Sequence, residues 1–300
     1  MNMSISKGLL RSAALGLALL SATAASQAAE GLSVLPDRSR VASVGGSITE
    51  IVYALGEEKS LVARDSTSVY PEAAFKLPDV GYMRALSPEG VLSVNPSGIL
   101  ALEGSGPKEA VDVLKKASIP FINVPEGFSH KGIIDKIRVV GKALDVEAKA
   151  EALAKEVDGQ LSEAEALTKD IPADQRKRVL FILSMQGGKI LASGSNTAAD
   201  GIIAMAGGVN AVEGYSGYKQ LTDEAAITAK PDMILMMDRE GQLAIDDSQI
   251  YGHPAIASTP AGQARKVIRM DGAYLLGFGP RTAGAVKDLA AALYGDAVKK

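Results

Sequence analysis

A motif that occurs twice at one spacing constrains this chain more than any other feature. Leu86-Ser87-Pro88-Glu89, followed by Pro96 and Ile99-Leu100, is echoed by Leu221-Thr222-Asp223-Glu224, Pro231 and Ile234-Leu235, every pair 135 residues apart. A cation stands two places ahead of each copy, Arg84 and Lys219. Each copy reads as a capped helix leading into a strand, and a run of that length at constant offset marks an internal duplication. The chain is then expected to form two equivalent lobes with a cleft between them.

Between the copies lies Asp145 to Lys169, a charged stretch without proline. Val146, Ala150, Leu153, Val157, Leu161, Ala164 and Leu167 recur every three or four residues, which places them on one stripe of a helix with Glu and Lys opposite. Such a helix spans roughly 36 Å and reads as a strut between lobes; a long surface helix of one domain is the plainer alternative. On each side short apolar runs alternate with helical patterns. Strands are expected at Arg40–Gly46, Leu61–Arg64, Ile99–Glu103 and Pro120–Val124, then at Val179–Ser184, Met233–Met237 and Val267–Met270. Ser47-Ile48-Thr49-Glu50 has the form of a capping box opening a helix, and helices are expected at Thr197–Ala206 and Thr282–Tyr294. Alternation of this kind implies an α/β fold with parallel sheets covered by helices on both faces. The expected organisation is a lobe at 30–144, a connecting helix at 145–169 and a lobe at 170–300.

The first 29 residues form a separate unit. Lys7 and Arg11 precede an apolar run from Leu9 to Leu20, and Ser26-Gln27-Ala28 offers small residues for cleavage, the pattern of a secretion signal too short to span a bilayer. The chain has no cysteine, which removes disulfides, thiolate metal sites and a lipid-anchoring thiol, so a freely diffusing periplasmic monomer is expected. Loss of the signal removes two positive charges and no negative one, taking the net charge from −3 to −5, a balance that argues against nucleic acid as a partner.

Ligands of doubly wound sheets bind beyond the carboxyl ends of the strands. Three loops are expected there: Asp65 to Pro71, Gly81 to Arg84 with Tyr82 inside it, and Gly104 to Lys108 ahead of a helix N-terminus. Tyr70 precedes a proline in a polar loop, so its ring projects from extended backbone. A packed loop tyrosine is the commoner role of such a residue; the functional reading is a hard oxygen ligand for Fe(III), with Arg84 or Arg239 supplying positive charge. His130 and His253 lack partners at metal-site spacing, and Met185 reads as packing. Glu89 and Glu224 hold equivalent early helix positions. The helix dipole accounts for one acidic residue there, whereas a matched pair suits docking on a two-subunit partner. No G-x-S-x-G, P-loop, H-E-x-x-H or cysteine nucleophile is present, so enzyme readings are weak.

VGGSITEIVYALG, STSVYPEAA, VGYMRALSPEGVLSVNPSGIL, ASGSNTAADGIIAMAGG, SGYKQLTDEAAITAKPDMILMM and YLLGFGPRTAGAVKDLA together resemble the periplasmic haemin-binding proteins of bacterial ABC haem importers, from about Arg40 to Leu293. The resemblance implies two Rossmann-like αβα lobes joined by a single long connecting helix, with ferric haem as the transported ligand in the cleft. It makes Tyr70 the axial iron ligand; Arg84 and Arg239 are the candidates for balancing its phenolate and pairing ligand carboxylates, and Tyr82 and Lys219 are expected at the haem beside them. Glu89 and Glu224 match acidic residues that meet arginines of an inner-membrane permease dimer, which works with its ATPase; an outer-membrane haem receptor system would supply the ligand. Two departures stand out. Relatives often carry Arg or Lys two residues after the tyrosine, where this chain has Glu72, and no histidine between Val179 and Glu240 matches the one some relatives use for a second haem. Cobalamin or a ferric siderophore remains an alternative ligand, and a periplasmic tetrapyrrole-modifying enzyme an alternative from another class.

Overall fold

Short apolar runs bounded by glycine and proline make the strands of the N-terminal half. In the computed structural model, which describes residues 34–239, 241 and 244–298, they are β1 (Val41–Val44), β2 (Leu61–Arg64), β3 (Gly98–Leu102) and β4 (Phe121–Val124). The expected secretion signal at 1–29 lies outside the described residues. All four strands are parallel, in the order β2-β1-β3-β4. Parallel neighbours need crossovers: α1 (Gly46–Ala54) follows β1, α2 (Pro88–Leu92) precedes β3 and α3 (Lys108–Lys116) follows it. β1 and β3 are buried along their whole length, as strands covered on both faces must be.

Two helices separate the sheets, α4 (His130–Ala143) and α5 (Glu147–Ala166). α5 is the expected connector, two to three residues shorter at each end and about 30 Å long. Ala150, Ala154, Val157, Leu161 and Ala164 are its buried residues, while Leu153 is only partly covered. They pack against α4 on the N-terminal side and against the C-terminal helix Thr282–Tyr294 on the other. Helix contact with α4 is close: a methyl group at Gly141 would sit 2.1 Å from the Ala150 Cβ. Ion pairs fasten the polar face to both sides, Arg138 to Glu151 through two 2.8 Å bonds and Lys287 to Glu163 at 3.4 Å. His130 bridges α4 to α5, with Nε2 3.0 Å from Asp158 and Nδ1 3.1 Å from Glu165. One hydrophobic cluster runs from Val41 and Ile99 through α5 to Phe181, Leu235 and Leu289. The halves therefore share one cluster, because the connector buries its stripe against both, while a second cluster around Leu180, Ile182, Ile190, Ile234 and Ile256 belongs to the C-terminal half alone.

The second half restarts with β5 (Arg178–Gln186), β6 (Lys189–Ser193), α6 (Ala198–Met205), β7 (Val209–Asn210), β8 (Tyr218–Leu221), α7 (Asp223–Ala229), β9 (Met233–Asp238) and β10 (Val267–Asp271). β5, β9 and β10 are parallel and repeat the arrangement of β1, β3 and β4, and β7 pairs with β5 in parallel, as β2 does with β1. The all-parallel expectation fails further along this same edge of β5, where β6 and β8 add antiparallel pairings. Gly187 and Gly188, both at positive φ, close β5 onto β6 in a tight hairpin, which needs no crossover helix.

The duplication is visible residue by residue. The Ser87 hydroxyl accepts from the Gly90 N–H at 3.3 Å, and the Thr222 hydroxyl accepts from the Ala225 N–H at 3.2 Å. Each helix leaves through a left-handed residue before the proline, Asn95 at φ 45° and Lys230 at φ 43°. The backbone path is thus kept where the side chain is not.

Candidate functional site

Where β1 ends, the chain needs glycine twice. Gly45 has φ 124°, a conformation L side chains rarely adopt, and a Cβ there would lie 2.7 Å from Leu102; one at Gly46 would lie 2.6 Å from the Thr67 carbonyl. That space lets the loop after β2 fold onto the start of α1. Asp65, fully buried, organises the loop: Oδ1 accepts from the Gly45 N–H (3.0 Å) and the Ser68 hydroxyl (2.7 Å), and Oδ2 from the Thr67 N–H (3.1 Å) and hydroxyl (2.7 Å). The Thr67 hydroxyl accepts from the Gly46 N–H at 2.9 Å, and a hydroxyl chain Ser43–Thr49–Ser68 lies beneath. These bonds serve the first amides of α1, a helix start that otherwise lacks partners. The capping box expected at Ser47 to Glu50 does not form, because Ser47 already lies inside the helix.

The three loops expected at the ligand end are knit together. The Ser66 N–H donates to Gly81 (2.9 Å), the Gly106 N–H to Met83 (2.8 Å) and the Leu86 N–H to Gly106 (2.8 Å). From this platform Tyr70, ahead of a cis bond to Pro71, stands 45% exposed, with Tyr82 at 48%. Glu72 is exposed beside it.

A cation does meet the Tyr70 ring, and it comes from the other half. The Arg281 guanidinium stacks 3.7 Å from the ring centroid. Its Nε donates to Glu50 Oε2 at 2.9 Å, and its backbone N–H donates to Glu50 Oε1 at 3.0 Å. Burial pushes the Glu50 carboxyl above its ordinary value, against the pull of Arg281. Next to this pair, buried Lys136 donates to Glu126 Oε1 (2.5 Å), to the Phe278 carbonyl (3.1 Å) and to the Ser47 hydroxyl (3.3 Å). Burial lowers the Lys136 ammonium and raises the Glu126 carboxyl, each more strongly than their pairing opposes. Phe128 and Phe278 meet edge to face at 5.4 Å. Loop 277–281, which opens the C-terminal helix, is therefore bolted to α1 and α4 beneath the cleft.

The remaining expected residues are divided between the halves, Arg84 in the first and Lys219 and Arg239 in the second. Arg84 is exposed, close enough to Glu126 and Tyr218 for its charge to act on both. Lys219 Nζ lies 5.4 Å from the Tyr215 ring centroid. Arg239, just past β9, is partly buried and reaches the Met237 sulfur at 3.8 Å. Among the described residues, neither Arg84 nor Arg239 hydrogen-bonds Tyr70. Glu89 and Glu224 are both exposed in the first turns of α2 and α7; the Ser87 hydroxyl donates to Glu89 at 2.7 Å and holds its carboxyl below the usual range. His253 donates Nε2–H to the Gly188 carbonyl (2.9 Å), pinning the β5–β6 turn.

Sequence reasoning missed Glu50, Lys136 and the placement of Arg281. Arg281 stood in a quoted motif, but a stacking partner 211 positions away leaves no local trace.

The family profile of the periplasmic binding protein matches residues 41–274. The chain is 38% identical to the periplasmic heme-binding protein BhuT, solved in complex with two hemes, over 86% of this chain and 98% of that one, with a TM-score of 0.80. With the periplasmic heme-binding protein RhuT from Roseiflexus sp. RS-1, solved in apo form, it shares 37% identity over 87% and 100% of the two chains, with a TM-score of 0.81. A curated relative, an uncharacterized ABC transporter substrate-binding lipoprotein, YvrC, of Bacillus subtilis, is 28% identical over 90% of this chain and 85% of its own length.

Proposed function

The chain belongs to the periplasmic binding protein family, and from that premise we propose that it captures ferric haem between its lobes and delivers it to an inner-membrane ABC permease. The observation that carries this reading is the presented phenol of Tyr70 on a loop fixed by a buried carboxylate. A protein that must release its ligand gains from one strong bond on a preformed platform. The Tyr70 oxygen takes iron as its proton leaves to solvent, and an anionic oxygen favours Fe(III). Tyr82, exposed on the neighbouring loop, offers a second ring to the haem face, while Arg84, Lys219 and Arg239 supply cations for the two propionates.

The 30–144 and 170–300 segments act as lobes and 145–169 as their connector, with little hinge motion because the core is continuous. Glu89 and Glu224, exposed at matched positions, dock on paired arginines of the permease. Residues 1–29 direct export to the periplasm. With no cysteine the chain offers no thiol for a lipid anchor, unlike a lipoprotein, and it works there as a soluble monomer without catalysis.

Titrating apo-protein separately with haemin and with cobalamin tests the reading. Haemin is expected to give a high-spin ferric spectrum and to be recovered unchanged, while cobalamin leaves no trace. Tight cobalamin binding without haemin binding would overturn the ligand, and a chemically altered haem would overturn the carrier role.

A further inference from the structure

The position two residues after Tyr70, filled by Glu72, carries the wrong charge to balance a phenolate. The guanidinium that reaches the ring comes from across the lobe boundary. We propose that Arg281 is the positioning residue for Tyr70: it holds the ring by stacking and balances the negative charge the oxygen carries on iron, while Glu50 fixes Arg281 in place. This rests on haem ligation by Tyr70 as proposed above.

Four observations support it together. The stack is close, 3.7 Å from Cζ to the ring centroid. Glu50 grips Arg281 at both Nε and the backbone N–H, so the guanidinium plane is set by side chain and main chain at once. The approach is tight, since a Cβ at Gly279 would lie 3.2 Å from Glu50 Oε1 and 3.5 Å from the Ser47 Cβ. The Tyr274 ring lies 5.4 Å from the same guanidinium, its phenol held by the Asp288 carboxylate at 3.0 Å. Burial and that carboxylate push Tyr274 up to about 12, so it stays neutral and does not compete for the cation.

The charged groups facing Arg281 are Glu50 from α1 and, beyond it, Lys136 from α4; Asp288 acts through Tyr274, and Glu72 faces solvent on the tyrosine loop. Lys136 is paired with Glu126 and lies deeper than the ring, and Glu50 holds the guanidinium by its Nε edge, which leaves the guanidinium face as the charge nearest the phenol ring. A cation over an aromatic ring is attracted to it, more so when the ring bears negative charge. In this arrangement the iron ligand belongs to one lobe and its charge partner to the other, so ligation strength is coupled to the lobe junction.

The test uses the haemin-loaded protein, the substitutions R281M and R281K, and two readouts that loosened packing alone would not move in the same sense. One is the pH at which the ferric phenolate spectrum is lost on acidification. The other is the Fe(III)/Fe(II) midpoint potential. R281M is expected to keep the spectrum at neutral pH, to lose it about one pH unit higher than wild type, and to have a lower potential, because a less compensated phenolate donates more strongly to Fe(III). R281K, which keeps the charge, is expected to stay within half of that shift.

Simple detachment of Tyr70 would raise the potential, the opposite sign, and would overturn the proposal. So would unchanged readouts in R281M, or an R281K shift as large as that of R281M. If wild type itself lacks a ferric phenolate spectrum, the haem reading fails instead.

Discussion

The same βα unit was built twice, and the two copies treat tyrosine in opposite ways. After β2, Tyr70 stands at 45% exposure on a loop tied to a buried carboxylate. After β7, the corresponding connection tucks its tyrosines inward: Tyr215 donates to the Ala192 carbonyl at 3.2 Å, and Tyr218 packs edge to face on Phe181 at 6.3 Å, where burial pushes its phenol upward. The braces differ too. Asp65 anchors the first loop with an anion accepting four hydrogen bonds. Asn210 anchors the second with a neutral amide donating to Gly194 (3.2 Å) and Asp200 (3.0 Å) and accepting from the Val212 N–H (3.0 Å). Duplication thus supplied two platforms, of which one presents an exposed phenol and the other a mostly covered wall.

The largest effect expected from this contrast is on iron ligation. Tyr70→Ala should abolish the high-spin ferric spectrum, whereas Tyr218→Phe and Tyr215→Phe should retain it; loss in Tyr218→Phe with retention in Tyr70→Ala would reverse the roles of the lobes. Next comes a respect in which the copies are alike. Glu89→Lys and Glu224→Lys should each lower haem uptake about tenfold by placing like charge against the permease while leaving haem affinity intact, as read by uptake and by haemin titration of the same variants. A haem-binding defect in either would place that glutamate in the pocket.

The braces should differ in stability by an intermediate amount. Asp65→Ala should destabilise by about 3 kcal/mol because buried donors lose a charged acceptor, and Asn210→Ala by only about 1 kcal/mol. Urea midpoints measure both, and equal losses would remove the distinction between the loops.

The smallest effect is a pH dependence at the lobe junction. Burial raises the folded-state value of Glu50, so its contribution to stability is present at low pH and is lost as pH rises through that raised value. Glu126 behaves in the same sense. The difference in urea midpoint between wild type and Glu50→Gln should therefore move in favour of wild type as pH falls from neutral toward 4.5, the ordinary glutamate value. Movement the other way would mean that pairing with Arg281 outweighs burial.

Much of this contrast is legible in the sequence where it is local. β2 and the helix Thr282–Tyr294 have the expected bounds, and β1, β3 and β4 differ by one or two residues, because glycine and proline punctuate runs of fixed period. The repeat also predicts a capped helix leading into a strand in each copy, and both caps form. The antiparallel strands β6 and β8 were not foreseen. Lys189–Ser193 and Tyr218–Leu221 are short and only partly apolar, so period alone does not separate them from loops. Ser47 to Glu50 misled for a related reason: a capping box is a local pattern, but the helix starts earlier, at Gly46, where Asp65 and Thr67 from the next crossover accept from the Gly45 and Gly46 N–H groups, so Ser47 lies inside it. At the candidate site the loop carrying Tyr70 was located by its place after the second strand, and the role expected of its tyrosine came from the family resemblance. Its charge partner was not located, because Arg281 reaches it only through the approach of one lobe to the other.

The central claim is that the Tyr70 oxygen is the bond between protein and ferric haem. Resonance Raman spectroscopy of the haemin-loaded protein tests this directly, with tyrosine ring-labelled in one sample and unlabelled in another. An iron–phenolate vibration that shifts with the label and is absent in Tyr70→Phe is the predicted result. A vibration that persists in Tyr70→Phe, or no label-sensitive band in wild type, would contradict it.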